Sequence, residues 1–223
     1  MVQTLSNFMI CKNNVHAFDA SVYFSQNLDD DLNPLCLFGP VGVGKTHLLN
    51  AIQQSLWVNH PVKKITYIEA GKYFEKMISL IRQNKDPNHF FRNKLNCDVV
   101  LLDEAEVFFK SRLRQDVLTN LLEILLKRKC NVVMAGIINP NDFKSLNQKL
   151  KDLFKKGIIC QIPEPGLNDR LKLLHYFRNM HSVYLSEETL RYIANRPNTS
   201  VRKLHGAILT AKKQVDFEIV SYN

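Results

Sequence analysis

The chain has 223 residues, of which 45% are hydrophobic and 23% are charged, and it contains no repeat or low-complexity tract. This composition provides enough apolar surface for one sizeable core but no apolar run of about 20 residues, which excludes a disordered chain, a solenoid and a membrane-spanning protein. The formal charge of +9 suits an anionic partner such as a nucleotide or nucleic acid, although a merely soluble basic surface would give the same charge. The N-terminal segment lacks the apolar core of a secretory signal, so we expect a cytoplasmic protein.

Strand-like apolar runs alternate with helical periodicity as far as residue 162. The predicted strands are residues 35–38, 65–68, 99–103, 132–135 and 158–162, and the predicted helices between them are residues 46–58, 72–82, 112–129 and 142–155. This alternation predicts a parallel five-stranded sheet with helices on both faces, which is a three-layer α/β architecture.

After Pro163 and Pro165 only helical periodicity remains. The predicted helices of this part are residues 167–180, 186–195 and 200–213, with Ser186 at the N-cap of the second. We therefore expect an α/β domain at residues 1–163 and a three-helix subdomain at residues 164–223.

A phosphate-loop motif follows the first predicted strand. Residues 39–46 fit the pattern G-x-x-x-x-G-K-[ST] and precede a predicted helix, as the motif requires. Backbone N–H groups of such a loop surround phosphate, while Lys45 would reach the terminal phosphates and Thr46 would offer its hydroxyl to Mg²⁺. The predicted nucleotide-contact residues here are Gly39, Pro40, Val41, Gly42, Val43, Gly44, Lys45, Thr46 and His47.

Two adjacent carboxylates stand at the end of the third predicted strand. Asp103 is the predicted Mg²⁺ residue, because ligands of parallel sheets gather at the carboxyl ends of the strands. Glu104 is the candidate catalytic base that would orient a water molecule; the alternative is a solvated acid at a strand end.

The histidines, aromatic residues and cysteines give weaker signals. The seven histidines have no metal-ligand spacing, so we predict no metal beyond Mg²⁺, and Trp57, Phe108 and Phe109 are predicted to pack rather than to stack on bases. The five cysteines include no CxxC pair and are predicted to be reduced core thiols: Cys11, Cys36, Cys97, Cys130 and Cys160.

These motifs lie within a chain that resembles the ATPase domain of the DnaA replication initiators, a family of the AAA+ class. The resemblance is carried by residues 6–14, 33–50, 91–94, the Asp103 strand, residues 162–165 and residues 200–207. It implies a P-loop NTPase fold with a helical lid, and ATP or ADP with Mg²⁺ as ligands. It also implies an adenine pocket that includes Phe8, Ile10 and Asn14, and a sensor II role for Arg202, which would reach from the lid towards the γ-phosphate.

Two positions depart from the family's pattern. The sensor I position falls on Ile137, with Asn139 as a replacement only if the loop shifts. The arginine-finger position falls on Leu153, where a finger would be worth about 10³ to 10⁵ in rate. Lys151, Lys155 and Lys156 are nearby candidate substitutes, but a lysine lacks the planar fork of arginine. Whether the chain hydrolyses ATP therefore stays open, and we expect slow or absent turnover.

Because the sequence ends at Asn223, the resemblance leads us to expect neither the family's usual DNA-reading domain nor its helicase-contact domain. The resemblance therefore implies a short DnaA-like protein comparable to Hda-type regulators; a fragment of an initiator is an alternative. We expect a nucleotide-dependent switch that acts in replication initiation or its regulation, with a DnaA-type initiator as partner and nucleotide-dependent homo- or hetero-oligomers. The second hypothesis is a helicase-loader ATPase with the replicative helicase and single-stranded DNA as partners, the DNA being met by Lys110, Arg112 and Arg114.

Overall fold

A five-stranded parallel sheet organises the first part of the chain. The structure, a computed structural model, describes residues 2–28, 32–85, 95–137, 146–197 and 199–221. The strands are β1 (Leu35–Phe38), β2 (Ile65–Glu69), β3 (Val99–Asp103), β4 (Asn131–Gly136) and β5 (Ile158–Gln161), in the spatial order β2-β3-β4-β1-β5. Every neighbouring pair is parallel. The predicted fold class is confirmed.

The central strands are buried on both faces. All of β1 and β3, and all of β4 after Asn131, are buried, which is why these strands are continuous apolar runs rather than alternating ones. The covering helices are α1 (Val15–Gln26), α2 (Lys45–Asn59), α3 (Ala70–Arg82), α4 (Arg112–Lys127) and α5 (Gln148–Phe154), and a 3₁₀ segment, Ala105–Lys110, joins β3 to α4.

Helix α1 was not predicted from the sequence. Its buried residues include Ser21 and Ser25, both fully buried, in addition to Ala17 and Phe24. Each serine hydroxyl donates to a carbonyl of its own helix, which satisfies the polar group locally. A buried face that is half serine gives no apolar stripe, so periodicity did not reveal this helix.

Three helices form the C-terminal part. They are α6 (Leu167–His181), α7 (Glu187–Ala194) and α8 (Val201–Ser221). Their shared core is apolar and contains Leu173, Leu174, Phe177, Leu190, Ala194, Leu204 and Ile208, together with Cys11. The predicted N-cap is confirmed, because the Ser186 hydroxyl accepts a hydrogen bond from the Thr189 N–H at 3.2 Å.

The chain divides into two compact units. The sheet unit takes in the described residues within Met1–Phe8, His16–Gly39 and Lys45–Gln161, and the helical unit takes in those within Met9–Val15, Pro40–Gly44 and Ile162–Asn223. Five residues of the phosphate loop thus group with the C-terminal helices, which the linear domain prediction did not anticipate. In the described part of the chain, no helix has the length and apolarity that crossing a membrane requires.

The predictions for aromatic and cysteine packing have mixed outcomes. Phe108 and Phe109 are buried as predicted, whereas the Trp57 side chain is 50% exposed, so its packing role stays a prediction. Four of the five thiols are buried, and Cys97 is only partly buried. Residues 91–94, Asn139 and the predicted helix start at residue 142 lie outside the described residues.

Candidate nucleotide-binding site

The phosphate loop connects β1 to the first residue of α2. Gly42 and Gly44 have φ values of 80° and 110°, conformations that are open to glycine and strained for other residues. A Cβ atom at Gly42 would also approach the Ser200 hydroxyl oxygen to 2.8 Å and the Arg202 Cβ to 3.0 Å. The loop therefore requires glycine at residue 42 for both conformation and space.

Lys45 begins α2 and its side chain folds over the loop. The Nζ atom donates a hydrogen bond to the Gly39 carbonyl oxygen at 2.7 Å. Gly39 itself is fixed next to β4, because its N–H donates to the Gly136 carbonyl at 3.1 Å. A positive charge and a helix N-terminus thus coincide at this loop, which is the arrangement that binds phosphate anions.

Asp103, at the carboxyl end of β3, meets Thr46 of the phosphate loop. The Thr46 hydroxyl donates to Asp103 Oδ2 at 2.8 Å, and Asp103 Oδ1 accepts the N–H of Glu104 at 2.9 Å. The Asp103 side chain is buried, and none of the ion pairs in the described part of the chain involves it. A carboxylate and a hydroxyl within hydrogen-bond distance are oxygen donors that fit Mg²⁺.

Tyr67 is a third contact of Asp103 that the sequence analysis missed. Its hydroxyl donates to Asp103 Oδ2 at 2.7 Å. Burial, followed by the hydrogen bond to Asp103, raises the pKa of Tyr67, so the phenol stays a donor. No motif marks Tyr67, because its position depends on the pairing of Glu69 with Asp103 between β2 and β3.

Glu104 follows Asp103 in a left-handed backbone conformation. Its φ and ψ are 58° and 38°, an uncommon region for a residue other than glycine, and its side chain is exposed. Backbone strain of this kind is concentrated at functional sites. An exposed carboxylate beside the Asp103–Thr46 pair has the chemistry of a general base.

Comparison with known proteins identifies the family. Residues 2–161 match the family described as the bacterial DnaA ATPase domain. The chain belongs to this family.

Individual relatives agree with that assignment. The chromosomal replication initiator protein DnaA of Buchnera aphidicola is 31% identical over 203 residues, which cover 91% of this chain and 46% of the relative. The chain thus spans about half the length of the curated relatives that it matches.

Two solved DnaA structures share the fold. AMPPCP-bound DnaA from Aquifex aeolicus superimposes with a TM-score of 0.81 at 25% identity, covering 94% of this chain and 65% of that one. A replication initiator DnaA bound to AMPPCP and single-stranded DNA gives a TM-score of 0.82 at 24% identity, with 94% and 64% covered.

The sensor I position of this DnaA-family chain has no polar side chain of its own. Ile137 directly follows β4 and is 40% exposed, and its N–H donates to Glu106 Oε2 at 3.1 Å. The same carboxylate oxygen lies so close to Gly136 that a Cβ there would be 3.3 Å from it. Glu106 therefore supplies the polar group at this strand end, and the sequence analysis missed it because it lies about 30 residues away in the chain.

Arg202 lies beside the phosphate loop within the helical unit. Its N–H donates to the Gly42 carbonyl at 3.1 Å, and its side chain is exposed in the first turn of α8. Ser200 lies directly before α8 and is buried. The predicted sensor II residue and the loop residue Gly42 are thus in backbone contact.

The predicted adenine-pocket residues fall into different surroundings. Phe8 is buried in the sheet unit, where its ring stacks on Phe18 and meets the His47 ring edge-on. In the helical unit, Ile10 is 47% exposed, while the Asn14 side chain accepts the Cys11 N–H at 2.7 Å and donates to the Met9 carbonyl at 3.1 Å.

His47 connects helix α2 to the N-terminal segment. Its Nε2 is 3.1 Å from the Thr4 carbonyl and 3.0 Å from Asn7 Oδ1, so Nε2 carries the proton and donates to these acceptor oxygens. Burial lowers the pKa of His47, which favours the neutral ring. The imidazole of His47 is thus occupied in fixing residues 4–8 to α2.

The predicted arginine-finger position is not on the surface. Leu153 is buried in the core of the sheet unit. Lys155 and Lys156 are exposed in the turn after α5, and Lys155 Nζ lies 3.9 Å from Asp152 Oδ1. Leu153 therefore cannot form part of an interface, and any cationic contribution from this segment would have to come from a lysine.

The basic segment at the start of α4, residues 110–114, is only partly available to a ligand. Lys110 and Arg112 are exposed, and Arg112 forms a weak ion pair with Asp116 at 3.5 Å. The Arg114 guanidinium lies 4.3 Å from the centre of the Phe74 ring and donates to the Val107 carbonyl at 3.2 Å. Arg114 is thus committed to the fold, and two of the three predicted DNA-facing charges remain exposed.

Proposed function

We propose that this DnaA-family chain binds ATP or ADP with Mg²⁺ and acts as a nucleotide-dependent switch in the initiation of DNA replication or its regulation. The observation that carries the proposal is the contact between the Thr46 hydroxyl and the Asp103 carboxylate beside a glycine-rich loop that ends in Lys45. The AMPPCP bound by the Aquifex aeolicus relative supports nucleotide as the ligand.

Each residue of the site has a proposed role. The backbone of residues 39–47 and the Lys45 ammonium bind the phosphates, and Thr46 and Asp103 hold Mg²⁺, which neutralises phosphate charge when bound. Residues 1–163 form the nucleotide-binding domain, and residues 164–223 form the lid that carries Arg202. In this arrangement Arg202, whose backbone already contacts Gly42, would bind the γ-phosphate of ATP and have no such contact with ADP.

Direct titration of nucleotide tests the binding site. A fluorescent ATP analogue is titrated into the wild-type protein, Lys45→Ala and Lys127→Ala, each with Mg²⁺. Loss of the Lys45 charge is expected to weaken binding at least about tenfold, because a charge-assisted contact with phosphate is lost. Lys127→Ala removes an exposed lysine of α4 and should leave affinity unchanged. Equal affinity of Lys45→Ala and wild type would refute the proposed site.

We propose that ATP turnover is slow. Glu104 and Asp103 provide candidate catalytic carboxylates, but Ile137 presents no hydrogen-bonding side chain and Leu153 is buried. Phosphate release measured with excess ATP is therefore expected to lie close to the rate without protein. A robust rate that Glu104→Gln abolishes would show that this expectation is wrong.

The identity of the bound partner distinguishes a regulator of the initiator from a helicase loader. Affinity co-purification of the tagged chain in ATP and in ADP, followed by mass spectrometry, is expected to recover a full-length DnaA-type initiator in a nucleotide-dependent manner. Recovery of the replicative helicase instead would favour the alternative, a helicase-loader ATPase.

The loader alternative has a specific structural basis. The exposed Lys110 and Arg112 and the charge of +9 suit a phosphate backbone, and one relative of similar fold was solved with single-stranded DNA. We rank this function second because Arg114 is held against Phe74. Single-stranded DNA affinity that falls steeply with salt and is lost in the Lys110→Ala, Arg112→Ala double variant would reverse the ranking.

A further inference from the structure

Two cysteines meet at the amino ends of neighbouring strands. Cys97 lies two residues before β3 and Cys130 lies directly before β4. The chains run side by side here, because Val99 pairs with Asn131 and the Asn131 N–H donates to the Asp98 carbonyl at 2.9 Å. The side chains of Cys97 and Cys130 are close enough for each to shift the other's pKa, and the Cys130 Sγ also donates to the Asn131 carbonyl at 3.6 Å. Continued from Val99 and Asn131, the register leaves Cys130 one residue out of line with Cys97. A lateral spacing of about 5 Å and a rise of about 3.3 Å per residue then give a Cα separation of about 6 Å, which is within the range that a disulfide spans.

The two thiols differ in accessibility. Cys97 is only partly buried and packs against the core, whereas Cys130 is 1% exposed within it. The nearby Cys130 side chain, with further help from the Thr66 side chain and the Arg128 charge, outweighs burial and the Asp98 charge and lowers the pKa of Cys97 from 9.0 to about 7. The same contact raises the pKa of Cys130. A partly exposed thiol with a lowered pKa thus lies beside a second thiol that can form a disulfide with it.

We propose that Cys97 and Cys130 form a reversible redox site, in which peroxide converts the two thiols into a disulfide that ties β3 to β4. The Cys97 thiolate attacks one peroxide oxygen, the O–O bond breaks, and hydroxide leaves, so that Cys97 becomes a sulfenic acid. The Cys130 sulfur then attacks the Cys97 sulfur, the S–O bond breaks, and water leaves with the thiol proton. The two thiols are oxidised by two electrons, and the peroxide is reduced to two molecules of water.

The disulfide would act on the stability of the sheet. It would close a loop of about 30 residues that contains β3 and α4, and cross-links of this size restrict the unfolded chain. An increase in the melting temperature of about 5–10 °C is expected for a chain of this length. The site lies at the opposite ends of the strands from Asp103, so it is independent of the proposed nucleotide function.

The test is oxidation of the purified chain with hydrogen peroxide. Free thiols are counted after denaturation, the disulfide is located by peptide mapping under non-reducing conditions, and melting is followed with and without dithiothreitol. The expected result is the loss of two of the five thiols, one peptide pair that joins Cys97 to Cys130, and a melting temperature that dithiothreitol returns to its starting value. The rate should rise between pH 6 and pH 8, as expected for a thiolate that forms near pH 7.

Matched variants make the result specific. Cys97→Ser and Cys130→Ser should each abolish the disulfide and the increase in melting temperature, whereas Cys11→Ser removes a buried thiol of the helical unit and should change neither. If a serine variant fails to fold, rapid alkylation of native wild-type protein replaces it, with Cys97 expected to react before Cys11. The proposal is overturned if peroxide carries Cys97 to sulfinic acid while Cys130 stays free, if disulfides form only between chains, or if Cys11 is alkylated first.

Discussion

At the scale of single residues, Asp103 shows how one buried carboxylate is kept in place. Thr46 and Tyr67 both donate to Oδ2, and the Glu104 N–H donates to Oδ1. Thr46 belongs to the phosphate loop, whereas Tyr67 belongs to the neighbouring strand β2. A change at Tyr67 therefore tests how strongly the sheet itself orients the proposed Mg²⁺ ligand.

Tyr67→Phe keeps the ring and removes only the donor. The free energy of unfolding is expected to fall by about 1 kcal/mol, because the buried Asp103 carboxylate loses one hydrogen bond. Mg²⁺-dependent binding of an ATP analogue is expected to weaken a few-fold as the carboxylate loses a positioning contact. Urea denaturation and nucleotide titration measure the two effects.

Tyr184→Phe is the matched control for that change. Tyr184 is 90% exposed, so loss of its hydroxyl should affect neither stability nor binding. If Tyr67→Phe and Tyr184→Phe behave alike, the hydrogen bond to Asp103 makes no measurable contribution.

At the scale of elements, the ends of helices and strands are determined by short contacts. Ser111, Asn147 and Ser186 each accept an N–H from the first turn of α4, α5 and α7. Gly157 occupies the turn between α5 and β5, where an added Cβ would overlap the Pro34 carbonyl oxygen that accepts the Ile158 N–H. Gly206, inside α8, has no atom within 4 Å of such a Cβ.

These two glycines are predicted to respond in opposite ways to alanine. Gly157→Ala should lower the free energy of unfolding by about 3 kcal/mol or more, because the backbone at Pro34, just before β1, and at Gly157, just before β5, must separate. Gly206→Ala should raise it by roughly 0.5–1 kcal/mol, because alanine is the better helix former where space permits. Urea denaturation of both variants against wild type is the measurement, and a Gly157→Ala protein as stable as wild type would contradict the close approach of Gly157 to Pro34.

The elements also show where sequence periodicity succeeded. The predicted strand at residues 99–103 matches β3, because its first four residues are apolar and its last residue, Asp103, is charged. Helix α1 was missed because Ser21 and Ser25 occupy its buried face. Helix propensity and apolar stripes reveal elements with hydrophobic faces, whereas a serine-lined face is recognised only after its neighbours are known.

At the scale of the whole molecule, buried ionisable groups limit stability at both ends of the pH range. Burial lowers the pKa of His47 in the sheet unit and of His205 in the helical unit, where His181 Nε2 also lies 2.7 Å from His205 Nε2. Burial raises the pKa of Tyr73 to about 12 and that of Cys36 to about 12.

The free energy of unfolding is therefore predicted to be greatest between about pH 6.5 and pH 9. Below the ordinary histidine pKa of 6.5 the unfolded chain binds more protons than the folded chain, so stability is lost as the pH falls. Above the ordinary thiol and phenol pKa values of 9.0 and 10.0 the unfolded chain releases more protons, so stability is lost as the pH rises.

Melting temperatures measured from pH 5 to pH 10 under reducing conditions check this prediction. His205→Phe, which keeps a ring for stacking on Phe177, should flatten the acid side of the profile. Replacement of the exposed His16 by glutamine should leave the profile unchanged. A melting temperature that rises as the pH is lowered below 6 would contradict the role of these histidines.

The sequence by itself determined the parallel sheet, the helical C-terminal part and the phosphate loop, because each depends on local periodicity or on a contiguous motif. Only the tertiary structure decided that Tyr67 donates to Asp103, that Glu106 meets the Ile137 N–H and that Leu153 is buried. It also brought Cys97 beside Cys130, and His181 beside His205. The physical reason is that strand register and helix packing bring together residues that are distant in the chain. A local sequence pattern does not specify which distant residues will become neighbours.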